Sequence, residues 1–555
     1  MFRTNSRLLR AVGRPNIGQS DRRATWAKWN LLLWLGKQPP SVSAVHASWF
    51  LSRGRSVNEE CEVKSQAAKM LDGAIVTFLF LFAAAAPNSI AATQSAWLIG
   101  LALWLARFTF RPRPTVYRTP IDYLVLGFFI LTGLSSFLSY EPMVSIGKLR
   151  AASLFTIIYL FAENVPSLRV VRLLGLTLIC ACIVNVFYTA GERLLGRGIK
   201  VYGVSEQSPL YKAGIRDGDT MLEVDGRKLS EPQELISALS KPEKKPLAVL
   251  TYRHELQPVF KVPRGTVLVG SNTLEQLGIG SWSRGRDWRA TGFYGQFVTY
   301  AEVLQLIIAL TVGLFVSLPS KRSWAGALLL AALAGFGFAL LLTVTRASWL
   351  GCLVSTLIIL LLGVRRRSLI VIGVLAIPLI LGGLFLLRQK RDVAFIDQAD
   401  QSTTWRETVW REGVNLLLSN PRHLLFGVGM DSIKGHWRQW GLFDSGRLPW
   451  GHMHSNLLQI ALERGAPALI LWLTFLFAYA RTLWCSLRSR GQLAWIERGI
   501  LLGALGGLAG FLISGLVHYN WGDSEVVMVF YMIMGLALAV HRLVGPMGRS
   551  KQTST

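Results

Sequence analysis

Three basic side chains stand where long apolar blocks of the sequence begin or end. Arg289 lies shortly before one block, Arg346 lies between two others, and His454 immediately precedes a fourth. Arginine keeps its charge and binds phosphate oxygens through two parallel hydrogen bonds. Histidine titrates near neutral pH and can accept or donate a proton. Together these residue types can hold a phosphate group and activate a hydroxyl.

Each of these residues also has an interpretation without chemistry. Arg346 could extend its charge to the lipid interface, as arginines near the ends of membrane spans do. Arg289 could belong to a solvated basic cluster with Arg284 and Arg286. His454 could cap the start of a helix. These alternatives stay open at the level of residue type alone.

The sequence offers no metal site and no familiar hydrolase motif. His452 and His454 lack a carboxylate at the helical spacing that would complete a metal site. There is no H-E-x-x-H, which disfavours a zinc protease, and no G-x-S-x-G, which disfavours a serine hydrolase. The five cysteines show no metal-binding spacing. We therefore predict no metal and no cofactor.

The apolar blocks are about 20 residues long, which is the length that spans a bilayer. Of the 555 residues, 51% are hydrophobic and 16% are charged. The net charge of +27 lies mostly at the edges of the blocks, so we expect no nucleic acid partner. This pattern predicts an all-α polytopic membrane protein with about twelve transmembrane helices. The predicted spans are 71–87, 90–108, 121–139, 148–163, 170–190, 297–318, 323–343, 347–364, 369–387, 455–480, 499–518 and 526–541.

The short loops between these spans predict their orientation. Loops rich in Lys and Arg, such as 107–118 and 481–498, alternate with loops that carry neither, such as 139–143. Because basic short loops stay in the cytoplasm, both termini are predicted to be cytoplasmic. Two long segments, 191–296 and 388–454, are then predicted to be extracytoplasmic.

The basic first 69 residues contain no predicted span. They carry 12 Lys and Arg against 4 Asp and Glu and lack a signal-peptide cleavage site. We interpret residues 1–69 as a disordered cytoplasmic tail; the alternative is that translation starts near Met70. Residues 70–190 then hold transmembrane helices 1–5. Residues 285–545 hold helices 6–12 and the outer loop 388–454.

A small β-rich module is predicted at 197–264, in an outer loop. Glycine and proline separate short strand-like runs there, and Pro232–Leu239 has the pattern of a short helix. The stretch from Ser208 to Gly226 resembles the SPA–AGL–GD–NG signature of bacterial PDZ domains. Such domains bind an extended peptide at a sheet edge. The resemblance places the peptide-binding edge at Gly198, Ile199, Lys200 and Val201.

This resemblance implies a periplasmic peptide or protein partner. The alternative is a spacer whose groove has lost its function.

Four segments of the predicted outer face resemble the O-antigen ligase and O-antigen polymerase superfamily of membrane glycosyltransferases. They are 284–295, 343–351, 405–431 and 452–465. Three of them follow the family's T-S-R-G-x-W-L-G turn, its R-x-x-x-W loop with a later G-V-G, and its H-N-x-x-L-Q … E-x-G helix entry. Ser455 stands where the family commonly has Asn. The resemblance covers about 285–480.

The resemblance implies a metal-independent glycosyltransferase in the bacterial inner membrane. It would move a glycan from undecaprenyl diphosphate to a hydroxyl of a lipid, sugar or protein acceptor during synthesis of lipopolysaccharide or another cell-envelope polysaccharide. Arg289, Arg346 and His454 are the implied catalytic residues. A polymerase of the same superfamily is one alternative, and a non-enzymatic PDZ-containing scaffold or transporter is another.

Aromatic and basic residues of the second outer segment are candidates for binding the glycan. They are Trp405, Arg406 and Trp410. Tryptophan faces suit sugar rings, although interfacial belts explain tryptophan equally well. For Arg406 a structural role is the stronger interpretation. Glu302 is ionisable and lies within a span, but its interfacial position keeps it off the catalytic list.

Overall fold

The computed structural model describes residues 66–253, 257–366, 369, 401–448, 451–488 and 493–545. By its contacts the chain divides into a small unit, 1–71 with 107–113, and a large unit, 72–106 with 114–555. Apart from the bounds of the first two helices, all features below lie in the large unit.

Five apolar helices precede the soluble module. They are α1 (Gln66–Ala85), α2 (Ile90–Arg107), α3 (Asp122–Phe137), α4 (Pro142–Asn164) and α5 (Leu168–Leu195). A short 3-10 turn at Ser153–Phe155 interrupts α4. Because α1 begins at Gln66, the predicted tail 1–69 ends earlier than expected. Its remaining residues, 1–65, lie outside the described part of the chain.

The module is a single antiparallel sheet of six strands with three short helices, the first of which is the single turn Pro209–Lys212. Its other elements are β1 (Ile199–Val204), β2 (Thr220–Val224), β3 (Arg227–Lys228), α6 (Pro232–Leu239), β4 (Leu247–Tyr252), β5 (Val259–Val262), α7 (Thr273–Leu277) and β6 (Ile279–Arg284). The strand order is β5-β4-β2-β1-β6, and β3 pairs with β2. The helix predicted at Pro232–Leu239 is confirmed at both ends.

The module is longer than the predicted 197–264. Leu277 and Ile279 lie in its buried core together with Ile199 and Val201 of β1. Strand β6 pairs with β1 and is the edge strand on that side of the sheet, so the peptide-binding edge predicted at β1 lies inside the sheet. The module of this structure therefore runs from β1 to Arg284, and the name is used below for residues 199–284.

Further helices follow the module. They are α8 (Phe297–Ser317), α9 (Trp324–Leu342), α10 (Arg346–Gly363), α11 (Gln401–Leu418), α12 (Pro421–Phe426), α13 (Asn456–Arg464), α14 (Ala466–Arg488), α15 (Trp495–Ser514) and α16 (Ser524–Val544). Across the described residues, nine helices are long and apolar enough to cross a membrane, and α3 is a shorter apolar helix. The helical membrane class is confirmed, while the count of twelve spans stays a prediction.

Two predicted segments differ in the structure. The span 455–480 is broken at Gly465, whose φ of 86° suits glycine; a Cβ there would lie 2.2 Å from the carbonyl oxygen of Leu425. The membrane helix of this region is therefore α14. The outer loop 388–454 is not a plain loop, because it holds the 18-residue helix α11. The predicted span 369–387 lies outside the described residues, apart from residue 369.

Helices α8 and α15 approach each other through glycine. A Cβ on Gly503 of α15 would lie 2.6 Å from the Cα of Leu310 on α8, and a Cβ on Gly313 would lie 2.3 Å from the carbonyl oxygen of Gly499. Helices in lipid gain stability from such close packing of small residues. The contact matters for the site, because α8 and the segment after α15 both supply side chains to it.

We expect Gly503→Ala to destabilise the protein. Its methyl group must push α8 and α15 apart, and overpacking of this kind costs about 1–3 kcal/mol. Gly507→Ala, one turn along α15, is the matched control, because its Cβ would meet Ala309 at an ordinary 3.6 Å. Thermal melting of both purified variants in detergent measures the difference. Equal melting temperatures would contradict the close approach.

Candidate active site

Arg289 is fixed to the turn between α9 and α10. Its Nε donates to the carbonyl oxygen of Thr343 at 2.8 Å, and one terminal nitrogen donates to that of Val344 at 2.7 Å. Its guanidinium carbon also lies 3.5 Å from the ring centroid of Phe297. These contacts aim a long, flexible side chain at the turn that ends in Arg346.

The Arg289 guanidinium is half-buried and feels a second positive charge. Burial lowers the pKa of Arg289 to about 10, and the charge of Arg346 acts in the same direction. Arg346 is the first residue of α10, where the helix dipole favours a negative charge. The structure therefore brings these two predicted catalytic arginines together, although 56 sequence positions separate them.

His454 lies in a strained turn just before α13. Its φ is 47°, a left-handed value that is uncommon outside glycine. Its ring packs edge-on against Trp405 with centroids 4.6 Å apart and lies 4.0 Å from the ring of His452. His454 therefore lies in the turn before α13 and is not part of the helix. Helix α11 supplies the aromatic wall beside it.

The imidazole of His454 is held neutral. Burial is the main cause that lowers its pKa well below the ordinary value of 6.5, and the neighbouring His452, Arg406 and His518 lower it further. A neutral imidazole at physiological pH has a free lone pair, so it can accept a proton from a hydroxyl.

Trp405, Arg406 and Trp410 have different positions around this histidine. Trp405 touches the ring of His454, and the charge of Arg406 lowers the pKa of His454. Trp410 instead donates its indole N–H to the carbonyl oxygen of Met453 at 2.8 Å. Trp410 thus supports the backbone that carries His454, and its position gives no direct support to the predicted contact with glycan.

His518 is a further residue of the site, and the sequence patterns did not indicate it. It follows α15, and its Nδ1 lies 2.8 Å from a carboxylate oxygen of Glu302 on α8. Burial lowers the pKa of His518 to about 3, with Arg406 and Arg289 as further causes. The charge of Arg289, from the segment before α8, and that of Arg406, from α11, therefore both influence the His518 imidazole.

These couplings define the candidate site. The charge of Arg346 lowers the pKa of Arg289, and the charges of Arg289 and Arg406 lower the pKa of His518. His518 and Arg406 in turn lower the pKa of His454. The groups come from the segment before α8, the start of α10, helix α11, the segment before α13 and the segment after α15. The residues Gly198, Ile199, Lys200 and Val201 are not part of it, because they lie in or beside β1 of the module.

A buried network behind the site is centred on Glu463. Gln459 accepts from the backbone N–H of Met453 at 2.7 Å and donates to Glu463 at 2.9 Å. Tyr519, Arg464 and the backbone N–H of Asp431 also donate to the Glu463 carboxylate. Glu463 therefore fixes the turn that carries His454 without contacting the imidazole in the described structure.

The sequence gave a signal for Glu302 but none for His518. Glu302 is an ionisable residue near the end of a span, which is a signal for function by default. His518 gave no comparable signal, because a lone histidine after an apolar block belongs to no recognised motif. Among the residues that the structure describes, no group of three or more His, Cys, Asp or Glu side chains is arranged to hold a metal ion.

The fold and this site define a multi-pass bacterial membrane protein with a cationic cluster at the end of its helix bundle. Residues 329–473 match the family model described as O-Antigen ligase, and residues 184–259 match that of the PDZ domain. Both matches confirm the resemblances seen in the sequence, and the first indicates a glycosyltransferase-like enzyme. Arg346, Arg406 and His454 lie inside the first match.

One curated relative shares a short segment with the chain. The magnetosome formation protease MamE of Magnetospirillum gryphiswaldense is 42% identical over 45 residues, which is 8% of this chain and 6% of that protein. The match spans only that small fraction of the relative's length.

Lowering the pH is expected to destabilise the protein through its buried histidines. Burial is the largest cause that brings the pKa of His452 to about 4 and of His518 to about 3, against an ordinary 6.5. Below that ordinary value the unfolded chain binds protons that the folded protein does not bind. The unfolding free energy therefore falls as the pH drops from about 6.5 towards 4.

Melting temperatures at pH of about 7.5 and about 5.5 test this expectation. Each histidine should account for up to about 1.4 kcal/mol of the loss at the lower pH. The His518→Gln variant should therefore lose less stability than the wild type on acidification. An equal loss in both proteins would show that His518 is not held neutral.

Proposed function

We propose that the protein is a membrane glycosyltransferase of the O-antigen ligase type. It transfers a glycan from a polyprenyl diphosphate carrier to an acceptor hydroxyl at the periplasmic face of the inner membrane. The observation that carries this proposal is the contact of Arg289 with the turn that leads into Arg346, in one basic cluster with the neutral imidazole of His454.

The donor requires a site for negative charge. When the bond between the anomeric carbon and the diphosphate oxygen breaks, the lipid diphosphate leaves with its electrons. Arg289 already directs its guanidinium to neutral carbonyl oxygens and lies beside Arg346. Fixed cationic donors in a buried site stabilise charge that develops in the transition state. We assign the diphosphate to these two arginines.

The acceptor requires a base. Its hydroxyl oxygen attacks the anomeric carbon on the face opposite the diphosphate, and its proton passes to a ring nitrogen of His454. The pKa of His454 is lowered chiefly by burial, which keeps the ring in the proton-accepting form. The edge-on ring of Trp405 and the left-handed turn fix the direction of that imidazole. Proton transfer by a positioned base typically contributes about 10²–10⁴-fold to a rate.

The arginine and histidine roles are tested by substitution in purified enzyme with lipid-linked donor and free acceptor. Arg346→Lys keeps the charge but loses the planar fork, so we expect the rate to fall about 10–150-fold, as for the loss of one charge-assisted hydrogen bond. His454→Ala should abolish transfer while the protein still folds. A chelator should leave the wild-type rate unchanged.

The control is Arg447→Lys, because Arg447 is exposed and pairs only loosely with Asp444 at 3.8 Å. It should keep the wild-type rate. Near-normal transfer by His454→Ala would contradict the proposed role of His454 as the base. Product analysis separates ligase from polymerase: one transfer per acceptor indicates a ligase, and a ladder of growing lipid-linked glycans indicates a polymerase.

The proposed orientation has both termini in the cytoplasm and the module in the periplasm. Lys244 lies in an exposed module loop, and Gln439 is exposed in the segment between α12 and α13. Single cysteines at either position should react with an impermeant maleimide added to intact spheroplasts. Protection of either cysteine until the cells are lysed would overturn this orientation.

A further inference from the structure

A buried carboxylate near the start of α8 has no role in the transfer as described so far. Glu302 is 2% exposed, and its Oε1 lies 2.8 Å from Nδ1 of His518. Its other oxygen, Oε2, has no hydrogen-bond partner among the described residues. An ionisable side chain that is buried in a membrane helix and only partly paired is a candidate for function.

The contact with Glu302 determines which nitrogen of His518 carries the hydrogen. An ionised carboxylate only accepts hydrogen bonds, so Nδ1 of His518 donates to Oε1 of Glu302. The second ring nitrogen, Nε2, then keeps its lone pair and can accept a proton. Enzymes that use a Ser-His-Asp triad orient their histidine for proton transfer through the same kind of carboxylate contact.

The loop that carries His518 is fixed to the start of α13, beside His454. Asn456, two residues after His454, donates its backbone N–H to the carbonyl oxygen of Gly515 at 2.7 Å. Its side-chain nitrogen donates to Oδ1 of Asn520 at 2.5 Å, and both asparagines are buried. The two segments that carry the histidines are therefore held together by hydrogen bonds on both sides of His518.

The aromatic rings of these two segments also approach each other. The ring centroid of His452 lies 4.0 Å from that of His454 and 5.7 Å from that of Tyr519, the residue after His518. His518 is close enough to His454 to lower its pKa. The imidazoles of His454 and His518 therefore belong to one cluster, within which a proton can pass directly or through one water.

Neither imidazole is a favourable resting place for a proton. Burial is the largest cause that lowers the pKa of His454 to about 2 and that of His518 to about 3. Surroundings of low dielectric disfavour the charged form of any group, so an imidazolium is unfavourable there. A carboxylate responds in the opposite way, because it loses its charge when it accepts a proton. The Glu302 carboxylate is in direct contact with His518 and can take that proton.

We propose that Glu302 is the final acceptor of the proton that the acceptor hydroxyl loses, and that His518 passes this proton on from His454. The inference rests on the proposed function. It gives Glu302 a part in the reaction, whereas the sequence kept it off the catalytic list.

The proposed relay has three steps. The hydroxyl proton moves to His454 while the hydroxyl oxygen bonds to the anomeric carbon and the diphosphate leaves with the electron pair of the broken bond. His454 then gives a proton to Nε2 of His518. Nδ1 of His518 releases its own hydrogen to Oε1 of Glu302. Both imidazoles end neutral, and Glu302 ends as a neutral acid.

The first test is Glu302→Gln in the full-length enzyme with lipid-linked donor and free acceptor. Glutamine keeps the size of the side chain and can still accept a hydrogen bond from His518, but it cannot take up the proton. We expect kcat to fall at least about tenfold, since positioned proton-transfer groups contribute about 10²–10⁴-fold. Glu302→Asp retains a carboxylate and should recover part of the lost rate, which a purely structural role of Glu302 would not predict.

The matched control is Glu497→Gln at the start of α15. Glu497 is also buried, at 1% exposed, and it pairs with Arg172 at 2.6 Å. His518 follows the other end of the same helix, so Glu497 lies outside the site. With kcat expressed per folded enzyme, Glu497→Gln should keep the wild-type value. A wild-type kcat in Glu302→Gln as well would overturn the relay.

The second test compares His518→Gln, Glu302→Gln and the double variant. Either single change interrupts the same path, so the double variant should be no slower than the slower single variant. Groups that act in one path are non-additive in this way. Losses that multiply in the double variant would show that the two residues act independently, and the relay would be wrong.

Failure of the proposed function gives a different result. If His454→Ala keeps near-normal transfer, the base itself is wrong and the relay is wrong with it. If His454→Ala abolishes transfer while His518→Gln and Glu302→Gln both keep the wild-type kcat, the base stands and only the relay is wrong.

Discussion

The hydrogen bonds from Arg289 to the carbonyl oxygens of Thr343 and Val344 are the contacts on which the rest of the site depends. They join the segment that leaves the module to the turn that begins α10, and so place the Arg289 guanidinium against the turn that leads into Arg346. Burying a cation among neutral oxygens is costly unless an anion completes the site. A half-buried Arg289 next to the turn that leads into Arg346 suits the proposed ligand, which carries more than one negative charge. A lipid diphosphate at the membrane surface has that chemistry.

Burial lowers the pKa of the histidines as it lowers that of Arg289, but with a different result for their charge. His452, His454 and His518 all have pKa values lowered chiefly by burial, and each also has cationic or histidine neighbours that lower the pKa further. The arginines stay charged because their ordinary pKa is so high, whereas the imidazoles become neutral in the same surroundings. One electrostatic environment therefore yields both the fixed cations and the neutral imidazole that the proposed transfer requires. The Glu302 carboxylate contacts the Nδ1 atom of His518.

The sequence predicted what depends on local pattern and missed what depends on tertiary pairing. Apolar length located the described membrane helices, and proline with turn residues located α6 at both ends. Strand β6 was missed because Ile279–Arg284 contains glycine, serines and arginine, and only its partner β1 makes it a strand. His518 was missed because its contact with Glu302 exists only where glycines bring α8 and α15 together. The break at Gly465 likewise depends on a distant backbone, that of Leu425, which no local pattern reveals.

The position of the module in the chain ties it to Arg289. Strand β6 completes the sheet beside β1, and only four residues lie between its last residue, Arg284, and Arg289. Within that short segment Asp287 forms a salt bridge with Lys200 of β1, and Trp288 is buried in the core of the helix bundle. Because both ends of the segment are held, the position of Arg289 depends on the module as well as on the bundle.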